Sequence, residues 1–282
     1  KDLNLVKGDI RDLDLLEKLT KNIETVIHLA CISNDPSFEL NPTLGKSINL
    51  DAFEPLVKIS KKNNVKKFIY ASSSSVYGIK KEKDITETMS LEPITDYSKF
   101  KAICEEILNN YNSHEFTCTT VRPATVCGYS TRQRLDVVVN ILTNLAYHNR
   151  KIKVLGGKQL RPNIHIYDMI RVYDSLINAD SHLISGQIFN AGYENQSVMS
   201  LAKLVKDVVG QDVKLEIVPT NDNRSYHISS EKIKKVLNFR IEKSIKDAVL
   251  DLKSAFESNL LPNSLTDKKY FNIKVMNDIQ LK

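Results

Sequence analysis

Glycine is scarce here and nowhere clustered as a nucleotide-binding turn requires. The nine glycines, at positions 8, 45, 78, 128, 156, 157, 186, 192 and 210 of 282 residues, compose neither Gly-x-Gly-x-x-Gly nor Gly-x-x-Gly-x-x-Gly. A strand-to-helix turn that holds a pyrophosphate on backbone N–H groups depends on such a set, because side chains would block the approach of the phosphates. Long hydrophobic runs are missing too: no stretch reaches the roughly 18 apolar residues of a membrane-spanning helix, so no membrane association is expected. The opening Lys1-Asp2-Leu3-Asn4 lacks the pattern of a secretory signal, which makes the cytoplasm the default compartment. Four cysteines (Cys31, Cys104, Cys118, Cys127) show no Cys-x-x-Cys spacing and no histidine cluster nearby. Reduced thiols in a core are therefore expected, with no disulfide and no metal site. Positive charge is present without concentration. The net +6 comes from scattered lysines with no aromatic-plus-basic patterning, which suits a small anionic substrate and does not point to nucleic acid.

What is present suffices for a large folded unit. With 41% apolar residues the chain can bury a sizeable core, as one large or two closely joined domains. Its organising stretch runs from Lys67 to Lys101. Lys67-Phe68-Ile69-Tyr70-Ala71 reads as a buried strand; four serines, Ser72 to Ser75, follow; and Tyr97-Ser98-Lys99-Phe100-Lys101 opens a helical pattern. Tyr97 and Lys101 are four apart and share a helix face, which would bring an ammonium under the phenol ring. A free phenol has a pKa of about 10, and a fixed cation beside it favours the phenolate. That pair would serve as a base, and a serine hydroxyl at the strand end would hold the same alcohol oxygen. Alone, Tyr-x-x-x-Lys is common on solvated helix faces; its setting, 24 positions after Ser73 and ahead of a strand ending in Arg122-Pro123-Ala124-Thr125, is what gives it weight.

Other elements follow in order. Leu3 to Val6 reads as a strand leading into Gly8-Asp9-Ile10-Arg11-Asp12, and Leu13, Leu15, Leu16 and Leu19 mark a short helix with Asp12 as its cap. Thr25 to Ala30 reads as a central strand in which His28 is buried. A helix is expected from about Pro42 to Asn63, a strand from Phe116 to Val121, and a looser arrangement beyond Gly128. A strand near Gly186 to Asn190 should rejoin the main sheet. Further helices are expected near Ser200–Val209, Glu231–Leu237 and Ser244–Ser258, with a strand near Val213–Val218. The tail after Leu261 carries no assigned chemistry.

On these residues the chain resembles the extended short-chain dehydrogenases/reductases, in their nucleotide-sugar epimerase and dehydratase branch, over nearly its whole length. The resemblance implies an α/β fold: a Rossmann-like doubly wound parallel sheet, N-terminally incomplete, with a smaller C-terminal α/β substrate-binding domain. Residues 1–126, with a return near 162–191, would form the NAD-binding part and 127–282 mainly the substrate part. NAD is the implied cofactor, contacted by Asp9 and Ile10, Ala30 (followed by Cys31 where the family has a second alanine), Tyr97, Lys101 and Pro123. The implied catalytic set is Ser73, Tyr97 and Lys101. A nucleotide-diphosphate sugar is the implied substrate, met by Ser73, Ser74, Arg161 in Gly156-Gly157-Lys158-Gln159-Leu160-Arg161, and Arg224. Arg132 and Arg134 rank below these two arginines. Asn49 is a weaker candidate for a proton relay, and Asp168 reads as a helix cap. Cys127 stands where the family often has tyrosine. A homodimer through the helices near 42–63 and 97–111 is implied by resemblance only.

The implied reaction is epimerisation at sugar C4 through a transient keto sugar. A 4-dehydrogenase or reductase would use the same triad, and a non-catalytic sugar-nucleotide-binding protein would keep the fold without the cofactor turn. Dehydration is disfavoured, because Ser74 and Ser75 occupy the places where 4,6-dehydratases carry an Asp-Glu pair. Because the chain opens at what the resemblance makes the third strand and lacks the glycine turn, the 282-residue polypeptide is expected to bind NAD poorly. Titration calorimetry of this polypeptide checks that expectation, and tight NAD binding would overturn it.

Overall fold

A computed structural model describes residues 3–82, 84–220, 225 and 227–279. From Leu3 to Asp9 the chain has no regular structure, and Leu3 and Leu5 are 89% and 86% exposed. The strand expected at Leu3–Val6 is thus not formed. An extended segment becomes a strand only by pairing its N–H and C=O groups, and among the described residues none is laddered to it. Helix α1 (Leu13–Leu19) follows, and the Asp12 carboxylate accepts the Leu15 N–H as its cap. Strand β1 (Thr25–His28) stops short of Ala30.

Two one-turn helices come next, α2 (Asp35–Glu39) and α3 (Pro42–Lys46), each opened by an asparagine cap and a proline in its first turn. The single helix expected to Asn63 is interrupted. Ser47–Asp51 forms a π turn before α4 (Phe53–Lys62), and the extra residue of such a turn re-aims a side chain. Asn49 is the residue turned inward: its amide accepts from Ile32 N (2.8 Å) and donates to Ile32 O (2.9 Å). It is a buried brace for the loop after β1.

Strand β2 (Lys67–Ala71) leads through a 3₁₀ turn, Ser74–Tyr77, to Gly78. Here φ is +68° and an added Cβ would lie 2.0 Å from Glu92 O, so glycine is required. The remaining elements are α5 (Asp96–Tyr111), β3 (Thr117–Pro123), β4 (Thr125–Cys127), α6 (Val138–Asn149), β5 (Lys151–Leu155), β6 (Leu160–His165), α7 (Ile166–Asn178), α8 (Ser181–Ile184), β7 (Ile188–Ala191), β8 (Glu194–Ser197), α9 (Val198–Val209), β9 (Lys214–Val218), α10 (Glu231–Leu237), α11 (Ile245–Glu257) and α12 (Asn272–Ile279).

Strands β1, β2, β3 and β7 form a parallel sheet in that order. Successive side chains of β2 go to opposite faces. Phe68 and Tyr70 join Phe53, Leu56 and Leu108 under α4 and α5, whereas Ile69 joins Val121, Val172, Leu176 and Phe189 under α7. Covered on both faces, the sheet is a Rossmann-like α/β arrangement. His28 sits in the first core, its ring stacked 5.8 Å from that of Tyr70, and burial pushes its pKa down to about 3. It is a neutral core residue. Beyond β3 the chain builds a three-stranded sheet, β4-β6-β8, and a two-stranded one, β5-β9, with α6, α9 and α11 enclosing a separate apolar core.

At the carboxyl ends of β2, β3 and β7 lies a buried ion pair. Arg122 on β3 donates Nη2 to Glu105 Oε2 of α5 (2.6 Å) and Nε to Oε1 (3.1 Å), with side chains 3% and 4% exposed. The Ser72 hydroxyl donates to the same carboxylate. Arg122 Nη1 donates to Tyr77 Oη (2.7 Å), and Tyr77 donates to Asn190 Oδ1 on β7 (2.7 Å). Removing one partner strands the other charge without water. Glu105→Ala is therefore expected to destabilise the fold by about 3–5 kcal/mol, and an apolar double replacement with Arg122→Met by less. Urea unfolding of the two variants measures both.

Candidate active site

A cavity of about 780 Å³ opens at the carboxyl ends of β2 and β3, where parallel sheets of this kind bind ligands. Its wall includes Ser72 to Ser75, Tyr97, Pro123, Arg134 and Arg161. Ser73 caps the 3₁₀ turn: its Oγ accepts the Ser75 N–H (3.1 Å) and lies 2.8 Å from Ser75 Oγ. Ser72 is occupied by Glu105 and Ser74 is buried, whereas the Ser73 hydroxyl lines the cavity with Tyr97 and acts to lower the pKa of its phenol. Tyr97 reaches it because α5 starts at the rim, fixed by a capping box between Thr95 and Ser98.

Lys101 shares the face with Tyr97 that the spacing implies: its ammonium lies over the Tyr97 ring, 5.9 Å from the ring centre, and nearer that of Tyr70 at 4.9 Å, while donating to Ala71 O (2.6 Å). Burial pushes the Tyr97 phenol above its ordinary value, with Cys31 and Asp35 adding to the rise. The Ser73 hydrogen bond and the Arg134 charge act the other way. The expected downward shift through Lys101 is therefore not seen.

Arg134 and Arg132, ranked low from sequence, are built into this wall. Arg134 Nε pairs with Asp136 Oδ1 (2.9 Å) and Nη1 faces Ser33 Oγ (3.4 Å), while Nη2 is buried with no partner among the described residues. The tail after Leu261, given no chemistry, returns here. Asn272 donates its N–H to Asp136 Oδ2 (2.7 Å) and its Nδ2 to Ser33 Oγ (3.0 Å), and accepts from Arg132 Nη1 (3.2 Å). Met276 packs on the Ile32–Phe38–Leu44 cluster that also seats the Tyr97 ring. Neither contact has a local signal, because both join residues more than a hundred positions apart.

Arg161, on β6, lines the cavity and donates Nη1 to Leu160 O (2.9 Å). Arg224 lies outside the described residues. Pro123 ends β3 at the cavity wall. Ala30 is exposed just past β1. Asp9 is exposed and paired with Arg11 at 2.6 Å, which holds its carboxyl at about 2, and Ile10 packs on the core under α4. Asn49, the weaker relay candidate, has its amide bonded at both ends to the Ile32 backbone. Asp168 does not cap α7, whose cap is His165. Buried, it accepts from Arg171 (2.7 Å) and from the N–H of Lys243 (2.8 Å), tying α7 to the segment before α11.

Comparison with known proteins fits this geometry. The model of the NAD dependent epimerase/dehydratase family matches residues 1–192. An uncharacterised UDP-glucose epimerase of Bacillus subtilis is 27% identical over 258 residues, 88% of this chain and 79% of the relative. Human dTDP-D-glucose 4,6-dehydratase is 29% identical over 244 residues, 81% and 68%. The crystal structure of UDP-glucose 4-epimerase with UDP-glucose from Thermotoga maritima superposes with a TM-score of 0.82 at 24% identity, covering 90% of this chain and 84% of that one.

With burial dominant, Tyr97 stays protonated at the pH of about 10 where a free phenol is half ionised. In ultraviolet difference titration of wild type against Tyr97→Phe, the missing phenol is expected to ionise above that point. Ionisation at or below it would overturn the assignment.

Proposed function

Because this chain belongs to the NAD-dependent epimerase/dehydratase family, we propose that it is a nucleotide-sugar epimerase acting at sugar C4 through a transient keto sugar. The observation that carries the reading is the convergence of the Ser73 hydroxyl and the Tyr97 phenol on one cavity, with the Lys101 ammonium behind them. Tyr97 takes the proton of the C4 hydroxyl and later returns it, while Ser73 holds the same oxygen. The raised phenol makes it a poor base until a charge or hydrogen bond offsets the burial, and Arg134 and Ser73 already act in that direction.

The nicotinamide end of NAD fits the residues present. An ammonium has three donors, and Ala71 O takes one from Lys101; the others suit ribose hydroxyls, with Tyr97 and Pro123 alongside. Asp9, Ile10 and Ala30 are assigned to the adenine side. When bound, NAD supplies the acceptor and donor of the hydride. Residues 1–126, with the return near 162–191, are assigned to the cofactor and 127–282 mainly to the substrate. Arg161 and Arg224 are assigned to the diphosphate, since guanidinium forks pair with phosphate oxygens through two charge-assisted bonds. Packing of α4 and α5 against a second copy would give a homodimer.

Serines at 74 and 75 offer no carboxyl acid or base for eliminating water, which favours epimerisation over dehydration. Incubated with NAD and UDP-, GDP- or dTDP-hexoses, the protein is expected to yield the epimer without net NADH, and Tyr97→Phe to lose that activity at least about 100-fold. Accumulating NADH would replace the epimerase with a dehydrogenase. Binding without turnover would leave a binding protein.

A further inference from the structure

Arg134 lines the cavity and has, among the described residues, a guanidinium N–H donor to spare. Its guanidinium is held rather than mobile. Gln133, 4% exposed, donates Nε2 to Arg134 O (2.9 Å) and accepts the Ser130 N–H (2.9 Å). Asn140 Nδ2 donates to the same Arg134 carbonyl (2.8 Å), and its Oδ1 accepts the Gly128 N–H (3.1 Å). The next residue, Leu135, is fully buried and donates its N–H to Tyr270 O (2.8 Å). Asp136 then takes Nε, while its second oxygen is held by the Asn272 N–H. The side chain is thus fixed by both neighbours and by the C-terminal segment, and Nη2 remains buried without an acceptor. A buried N–H left unpaired is costly, and a structure that keeps one beside a cavity gains when a ligand oxygen arrives.

The position says which oxygen. Arg134 faces Ser33 on the loop after β1 and lines the same cavity wall as Tyr97 and Ser73, so a ligand whose hydroxyl meets Tyr97 also passes Arg134. Asp35 and Arg132 share that side of the wall. The inference rests on the reading of the site as a nucleotide-sugar site and names a determinant within it. We propose that Arg134 is a specificity-determining contact for the sugar ring, donating Nη2–H to an oxygen substituent next to the carbon whose hydroxyl meets Tyr97, with Asp136 and Asn272 as positioning residues. A sugar lacking an oxygen there leaves the donor unpaired and is rejected.

The test compares Arg134→Met and Arg134→Lys with wild type, using UDP-, GDP- and dTDP-glucose and the matching nucleoside diphosphates in titration calorimetry. For whichever pair the wild type binds, Arg134→Met is expected to hold the nucleoside diphosphate unchanged and to bind the hexosyl form about 10- to 100-fold more weakly. Arg134→Lys, which keeps the charge, should lose less, and Asn272→Ala should weaken hexosyl binding in the same selective way. Equal weakening toward both ligands would make Arg134 a phosphate contact and overturn the proposal, as would no change toward either. A wild type that binds none of the six overturns the nucleotide-sugar reading and this proposal with it; wild-type binding with an unselective Arg134→Met overturns this proposal alone.

Discussion

The Glu105–Arg122 pair is the constraint on which the cavity depends. Two charges taken out of water are tolerable only if each finds its full complement of hydrogen bonds, and here that demand recruits Ser72 from the end of β2, Tyr77 from the turn beyond it and Asn190 from β7. Three strand ends and α5 are thereby fixed to one another. Ser73 follows Ser72 directly and Pro123 follows Arg122, so both cavity-facing residues inherit their positions from the network beneath. Tyr97 and Lys101 are carried on the same helix as Glu105, two turns away and one turn away. The chemistry at the rim and the polar core under it are one construction.

A second constraint acts from the opposite wall. The loop after β1 carries Ser33, and its backbone is braced by Asn49 from the π turn. The loop after β4 carries Arg132 and Arg134, and Gln133 and Asn140 brace it in turn. Asn272 joins the two loops by bonding Ser33, Arg132 and Asp136 at once. A segment remote in sequence thereby completes the wall that faces Tyr97. The electrostatic outcome differs from a simple lysine–tyrosine pair: Lys101 lies over the Tyr97 ring but also donates to the Ala71 carbonyl, the Arg134 charge favours the phenolate as well, and burial still raises the phenol.

Local pattern carried much of the architecture. The Lys67–Ala71 run, apolar and bounded by serines, became β2 with those bounds. The Pro42–Asn63 stripe correctly placed helical structure but could not reveal the π turn, because the inward rotation of Asn49 answers to Ile32 on another segment. Asp168 looked like a cap from its place before an apolar helix, yet its acceptors are filled by Lys243 and Arg171. Leu3 to Val6 had the composition of a strand but has no neighbour to pair it among the described residues.

By itself, then, the sequence carried the family resemblance and much of the strand-and-helix order, and it offered Ser73, Tyr97 and Lys101 as candidates, since each rests on spacing along a single strand end or helix face. Only the tertiary structure showed that Arg134 lines the same cavity as Ser73 and Tyr97, that Asn272 braces its wall, and that Lys101 also bonds the Ala71 carbonyl. Burial and long-range hydrogen bonding set those outcomes, and both depend on what the rest of the chain brings within a few ångströms rather than on any local pattern.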